Sequence, residues 1–198
     1  MEKNYWNNYY TVNNLPFENS SFATFVLNYT SQNDSLLDVG CGNGRDSIYF
    51  SKNNLQVLGI DQSSKAISNL KKYEDKNLLF DIVDVKNIDL NMFDYLYLRF
   101  LLHAINEEEE DALLKWASRK VNKYIFIENR IFEDYKTKLN HYRRLETKEV
   151  IESKIEKLGF KILYSEVSKN FSSYKKHYNV EDLKIDPLLL RLVASKVQ

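Results

Sequence analysis

The chain has 198 residues, 28 Lys and Arg against 28 Asp and Glu, and a formal net charge of zero, with 43% of its residues hydrophobic. That length suits one domain with a full core and is tight for two, and the charge balance argues against broad binding to nucleic acid or a membrane surface. The one cysteine, Cys41, excludes an internal disulfide, and neither a secretory leader nor an apolar run of membrane-spanning length is visible, so residues 1–198 are expected to form a single cytoplasmic domain.

Strand-length apolar runs alternate with segments of helical period along the chain. That alternation implies βαβ units, an α/β class and a mainly parallel sheet. Residues 1–30 are read as an N-terminal extension or lid, with the aromatic run Tyr5-Trp6-Asn7-Asn8-Tyr9-Tyr10. Tyr9 or Tyr10 is placed to touch a bound substrate and Phe22 to help enclose a ligand, or these rings serve simply as aromatic anchors. Leu36–Val39 is the first expected strand, followed by a glycine loop at Gly40–Gly44 and a helix to about Lys52. Leu55–Ile60 is the second strand, and Ser63–Tyr73 a helix with Ser63 or Ser64 as N-cap. Leu78–Val83, Phe93–Leu98 and Tyr124–Ile127 supply three more strands. The run Asn106-Glu107-Glu108-Glu109-Glu110-Asp111 reads as a capped helix start whose carboxylates face the positive end of the helix dipole, rather than as an acidic site. Thr147–Leu158 reads as an amphipathic helix closed by Gly159, with strands at Phe160–Val167 and Leu188–Ala194.

In a sheet of this kind ligands bind beyond the carboxyl ends of the strands. The loop Asp38-Val39-Gly40-Cys41-Gly42-Asn43-Gly44 has a strand before it and a helix after it, the context that gives a glycine loop its meaning. Its G-x-G-x-G spacing departs from the G-x-G-x-x-G of dinucleotide sites, and Asp38 suits a cationic ligand better than a pyrophosphate. Asp61 ends the second strand, where a carboxylate can accept bonds from two ribose hydroxyls, and Gln62 follows it. Asp84 and Val85, after the third strand, are placed for an adenine amino group and ring. Cys41 is expected to pack rather than react.

At these residues the sequence resembles the class I S-adenosylmethionine-dependent methyltransferases. The resemblance implies a Rossmann-like three-layer sandwich with a seven-stranded, mostly parallel sheet whose last strand is reversed. It also implies S-adenosyl-L-methionine as cofactor. Asp38, Gly40, Cys41, Gly42, Asn43, Gly44, Asp61, Gln62, Asp84, Val85 and Arg99 are then the expected donor contacts. Substrate lies outside what this resemblance specifies, since chemistry sits on the loops of a shared fold.

For the acceptor, the segment after the fourth strand carries Arg99 and His103 and lacks the Asn/Asp-Pro-Pro-aromatic pattern of many DNA and protein methyltransferases. Arg130 is expected in the loop after the fifth strand, and His141, Arg143 and Arg144 in the next loop. A shared address at the ligand edge suggests a pocket for a phosphate or carboxylate. Tyr10, Arg99, His103, Arg130, His141, Arg143 and Arg144 are the expected acceptor contacts. Arg99 and His103 are the expected catalytic pair. His103 either orients an acceptor that is already anionic or takes a proton from a hydroxyl or amine, with His141 as the alternative base. The loop after the fourth strand, His141-Tyr142-Arg143-Arg144 and Asp186-Pro187-Leu188-Leu189-Leu190-Arg191 are together similar to small methyltransferases of bacterial capsule and surface-polysaccharide pathways. That resemblance implies a phosphoryl or phosphoramidate-type acceptor. No metal site is expected. The competing readings are an NAD oxidoreductase, a donor-binding protein without chemistry, and a methyltransferase of macromolecules.

Overall fold

The structure is a computed structural model that describes residues 3–16, 18–132, 144–171 and 187–197. Helix α1 (Lys3–Val12) and the short α2 (Ser21–Val26) precede β1 (Ser35–Val39), α3 (Arg45–Lys52), β2 (Gln56–Asp61), α4 (Ser64–Leu70) and β3 (Leu78–Ile82). There follow β4 (Phe93–Arg99), α5 (Glu107–Lys120), β5 (Val121–Arg130), α6 (Lys148–Lys157), β6 (Phe160–Ser168) and β7 (Leu189–Lys196). The seven strands form one sheet in the order β3-β2-β1-β4-β5-β7-β6. The first five are parallel, and β7 runs antiparallel between β5 and β6. This is the expected Rossmann-like architecture, with the reversed strand where the resemblance implies it.

Side-chain alternation explains why such apolar strands are stable here: both faces of the sheet are covered. One face carries Leu37, Val39, Leu96, Leu98, Ile125 and Ile127 against α5 and α6. The other carries Leu36, Tyr95, Tyr97 and Phe126 against Phe22 and Val26 of α2 and Phe50 of α3. Phe22 is fully buried and stacks on Tyr97 at 5.3 Å between centroids. It is a core anchor, the second of the two roles expected for it.

The acidic run begins α5 as a capping box: Asn106 Oδ1 accepts from Glu109 N and Glu109 Oε2 from Asn106 N, both at 2.9 Å. Glu110, 1% exposed, turns inward to Arg144 and to Lys154 at 2.7 Å. No helix among the described residues is long and apolar enough to cross a membrane.

Candidate active site

Where β1 ends, the backbone reverses. Gly40 N and Cys41 N both donate to Ile60 O of β2, at 2.8 and 3.0 Å, and Gly44 N closes the turn on Cys41 O at 2.9 Å. Gly42 has φ +56°, and a Cβ added there would collide with the Tyr10 hydroxyl. Two independent constraints therefore favour glycine: the left-handed backbone and the Tyr10 side chain lying on it. Helix α1 is held there by Asn69 Nδ2 donating to Tyr10 O at 3.0 Å and Ser63 Oγ donating to Asn7 Oδ1 at 2.6 Å. Asn43 Nδ2 donates to Leu15 O at 3.0 Å, so the loop itself grips the segment that follows α1. Gly42→Ala is expected to displace α1 and weaken ligand binding at the loop, with Tyr10→Phe restoring part of the loss; calorimetric titration of both variants checks it.

Asp61 stands beside this loop. Its Oδ2 accepts from Gly42 N at 3.1 Å and its Oδ1 from Ser63 N at 2.8 Å, which locks the carboxylate at the mouth of the β1–β2 crevice. Burial pushes its pKa up to about 6, against the pull of those backbone donors. Asp38, in the strand just below, accepts from Ser47 Oγ at 2.5 Å, and burial carries its pKa to about 7. The Cys41 thiol is pushed well above its ordinary range, first by burial and then by Asp38 and Asp61, so it packs and does not attack. Gln62 adds a further signal: among the described residues its Nε2 is buried without a hydrogen-bond partner. Such an orphan costs stability unless something accepts from it. A polar nucleoside meets both needs, an acceptor for Gln62 and two hydroxyl donors for Asp61. Asp84 is exposed and caps the turn after β3 by accepting from Lys86 N at 3.0 Å, while Val85 is buried beside Val39 and Ile60 in the core.

The raised carboxyls make a pH signature. Both groups bind protons more tightly in the folded protein than an ordinary aspartate does. The ligand-free protein therefore loses stability as pH rises from about 4 to about 7. A cationic ligand favours the ionised forms, so its stabilising effect grows over the same window. Thermal unfolding with and without the cationic ligand at pH 5 and pH 8 should show a gap that widens with pH.

On the acceptor side, the structure revises several expectations. Arg99 is not an open cation: its Nε lies 2.8 Å from Glu128 Oε1 and 3.8 Å from Asp46 Oδ2. Glu128, 1% exposed, also takes Arg191 Nε at 2.7 Å. Sheet register creates this row, since Arg99 pairs with Glu128 and Glu128 with Arg191 across β4, β5 and β7. Asp46, in the first turn of α3, also accepts from Ser20 N, Ser20 Oγ and Tyr97 OH at 2.7, 2.8 and 2.8 Å. Asp46, Glu128 and Arg191 are not among the expected site residues, and Glu128 falls just past the expected end of the fifth strand, where nothing local marks it as part of a cluster. Arg144 is a second correction. Its backbone N donates to His103 O at 2.9 Å, but its side chain is taken by Glu110 and Glu146. Arg130 is the last residue of β5 and 6% exposed, not a loop residue, because antiparallel pairing with Leu189 extends the strand. His141, Arg143 and Asp186 lie outside the described residues.

His103 does lie at the ligand edge. Phe100, at φ +56°, turns the chain after β4, and the Leu101 side chain then packs against Gly40 of the loop. His103 follows in a short turn, 1% exposed, its Nδ1 2.6 Å from Asn129 Oδ1.

Comparison with known proteins agrees with this geometry. Residues 36–123 match the family described as "Methyltransferase domain", a span running from β1 into β5. Over that span, which is under half of the chain, the sequence is that of a methyltransferase domain. Among solved structures, the chain is similar to a SAM-dependent methyltransferase from Methanosarcina mazei. That pair has 16% identity and a TM-score of 0.70 over 87% of this chain and 97% of that one. It is also similar to magnesium protoporphyrin IX methyltransferase from Synechocystis PCC 6803 with bound SAH (15%, 0.68, 89% and 80%). A third is 1,6-didemethyltoxoflavin-N1-methyltransferase from Burkholderia thailandensis, with its acceptor and S-adenosylhomocysteine bound (17%, 0.69, 89% and 77%). At these identities the likeness is one of fold. No curated protein sequence matches the chain.

Proposed function

We propose that this protein transfers the methyl group of S-adenosylmethionine to a small anionic molecule bound beside His103 and Arg130. The observation that carries the donor half is the Asp61 carboxylate, held open between Gly42 N and Ser63 N with the orphaned Gln62 amide beside it. Asp61 and Gln62 would hold the nucleoside, Asp84 and Val85 its adenine end, and Gly40–Gly44 over Asp38 the methionine end. The cofactor supplies an electrophilic methyl carbon on a cationic sulfur. The protein's own share is placement, which is worth roughly 7–11 kcal/mol of barrier for a well-oriented pair. Tyr10 and α1 cover the loop and keep water from it.

A small acceptor is supported by analogy with the Burkholderia enzyme, whose bound acceptor is a small molecule. Its negative charge is argued from the sequence, which gathers Arg130, His141 and Arg143 at and after the end of β5. A phosphoryl or phosphoramidate-type acceptor in surface-polysaccharide synthesis rests on the sequence resemblance alone. The test is methyl-labelled donor with a panel of phosphorylated and carboxylated metabolites and their neutral counterparts. Transfer confined to the anionic members is expected, and Arg143→Ala should raise KM for them about 10-fold or more while donor Kd holds. Label appearing only on protein or nucleic acid would overturn the reading.

A further inference from the structure

We propose that helix α1 positions the Asp61 carboxylate, with Asn7 acting through Ser63 and Tyr10 acting through Gly42. Affinity for the donor nucleoside is then set in part by a helix that precedes the first strand. This rests on the donor reading of Asp61 and adds to it two positioning residues from the N-terminal segment.

Asp61 is held by two backbone donors, Ser63 N at 2.8 Å from Oδ1 and Gly42 N at 3.1 Å from Oδ2. Helix α1 touches both of the residues that supply them. Ser63 is fully buried, and its hydroxyl donates to Asn7 Oδ1 at 2.6 Å while accepting from Ala66 N at 3.1 Å. A serine hydroxyl carries one hydrogen, so the bond to Asn7 fixes its rotor and leaves a lone pair for the cap of α4. Asn7 Oδ1 also faces Lys65 N at 3.5 Å, a longer contact with a second N–H of that helix end. Turning the Asn7 amide over would set its NH2 against that N–H, so the oxygen belongs where it stands. On the other side, the Tyr10 hydroxyl lies on Gly42, in the space a Cβ would need. Asn7 and Tyr10 are three residues apart and share one face of α1, so one helix bears on both anchors of the carboxylate.

None of the ten residues Lys3–Val12 is buried, and a helix of that length is marginal in water by itself. Its order therefore depends on docking, and a shift of α1 reaches Asp61 from two sides. A helix that merely shielded the loop would contribute to donor affinity independently of Asp61. These contacts run through it instead, from Asn7 to Ser63 to Oδ1 and from Tyr10 to Gly42 to Oδ2. Coupling of this kind is reciprocal: α1 strengthens the grip on the donor, and the bound donor holds α1 in place by the same factor. In this role Asn7 and Tyr10 act on the donor at one remove.

Calorimetric titration with S-adenosylhomocysteine tests the coupling. Asn7→Ala is expected to raise its Kd about 3–10-fold, the worth of one neutral hydrogen bond. Asn7→Asp, which keeps an oxygen for Ser63, should hold the wild-type value. The deciding measurement combines Asn7→Ala with Asp61→Ala: once Asp61 is gone, loss of Asn7 should change Kd by less than about 2-fold. The full Asn7 penalty persisting in Asp61→Ala, or an unchanged Kd in Asn7→Ala, would overturn the inference. Amide hydrogen exchange followed by NMR checks the same link without any donor. In Asn7→Ala the Ser63 N–H should exchange faster by about 3–10-fold, while Leu37 and Leu96, fully buried in β1 and β4, stay as protected as before. Unchanged exchange at Ser63 would sink the relay even where donor binding stands. A wild-type protein that binds neither S-adenosylhomocysteine nor S-adenosylmethionine would instead remove the donor reading, and the exchange rates would still report whether α1 holds the anchors of Asp61.

Discussion

Glu128→Ala is expected to cost about 3–5 kcal/mol of folding stability, because breaking a buried pair strands the charge left behind. Here the removal takes a carboxylate from two cations at once. Arg99 Nε and Arg191 Nε lie 2.8 and 2.7 Å from the two carboxylate oxygens, while the Asp46 carboxylate stands farther from Arg99, at 3.8 Å. The loss is comparable with the whole stability of many domains, about 5–15 kcal/mol, so the variant should unfold at much lower urea. Arg191 also donates to Ser21 Oγ at 2.7 Å, so α2 should loosen with it. The contrasting experiment is decisive: Arg99→Met, Glu128→Leu and Arg191→Met together should recover most of the loss, since an apolar replacement of a whole buried ion cluster is often neutral. A triple variant as unstable as Glu128→Ala would show that the row does more than balance charge.

Asp61→Ala should have the largest effect on the donor. Two hydrogen bonds to a charged acceptor are each worth about 1.5–3 kcal/mol, so losing the ribose contact should raise donor Kd at least about 100-fold. The same change strands Gly42 N and Ser63 N, the loop's own anchors. Asp61→Asn keeps an oxygen for one of them and should unfold later than Asp61→Ala while binding the donor almost as poorly. Calorimetry measures the affinity and thermal unfolding separates it from loss of fold. Unchanged Kd in both variants would remove Asp61 from the donor site.

Much of the sheet was legible because buried parallel strands are near-continuous apolar runs: Leu36–Val39 and Tyr95–Leu98 announce themselves. The glycine loop was legible for a different reason: Gly42 joins a left-handed backbone, which favours glycine, to a close approach by the Tyr10 hydroxyl. Cation pairing was not. Arg99, Glu128 and Arg191 lie far apart in sequence and meet only through the register of β4, β5 and β7, which composition does not encode. The two arginines and the acid thus looked like independent features. Arg144 misled in the same way, as its partners Glu110 and Glu146 come from α5 and the approach to α6. Arg130 misled because antiparallel pairing with Leu189 lengthens β5 past its apolar stretch.

The insertion of β7 between β5 and β6 has a consequence for assembly. β6 pairs with β7 and has no place on the sheet without it. While the chain is being synthesised, the growing sheet must therefore stay open along β5 until residues 189–196 have left the ribosome, however early β1 to β5 come together. Ile125 and Ile127 can pack against α5 before then, but the backbone edge of β5 stays unsatisfied. A translational pause or a nick ahead of residue 189 would leave that edge exposed as a template for another strand, with residues 160–168 unattached.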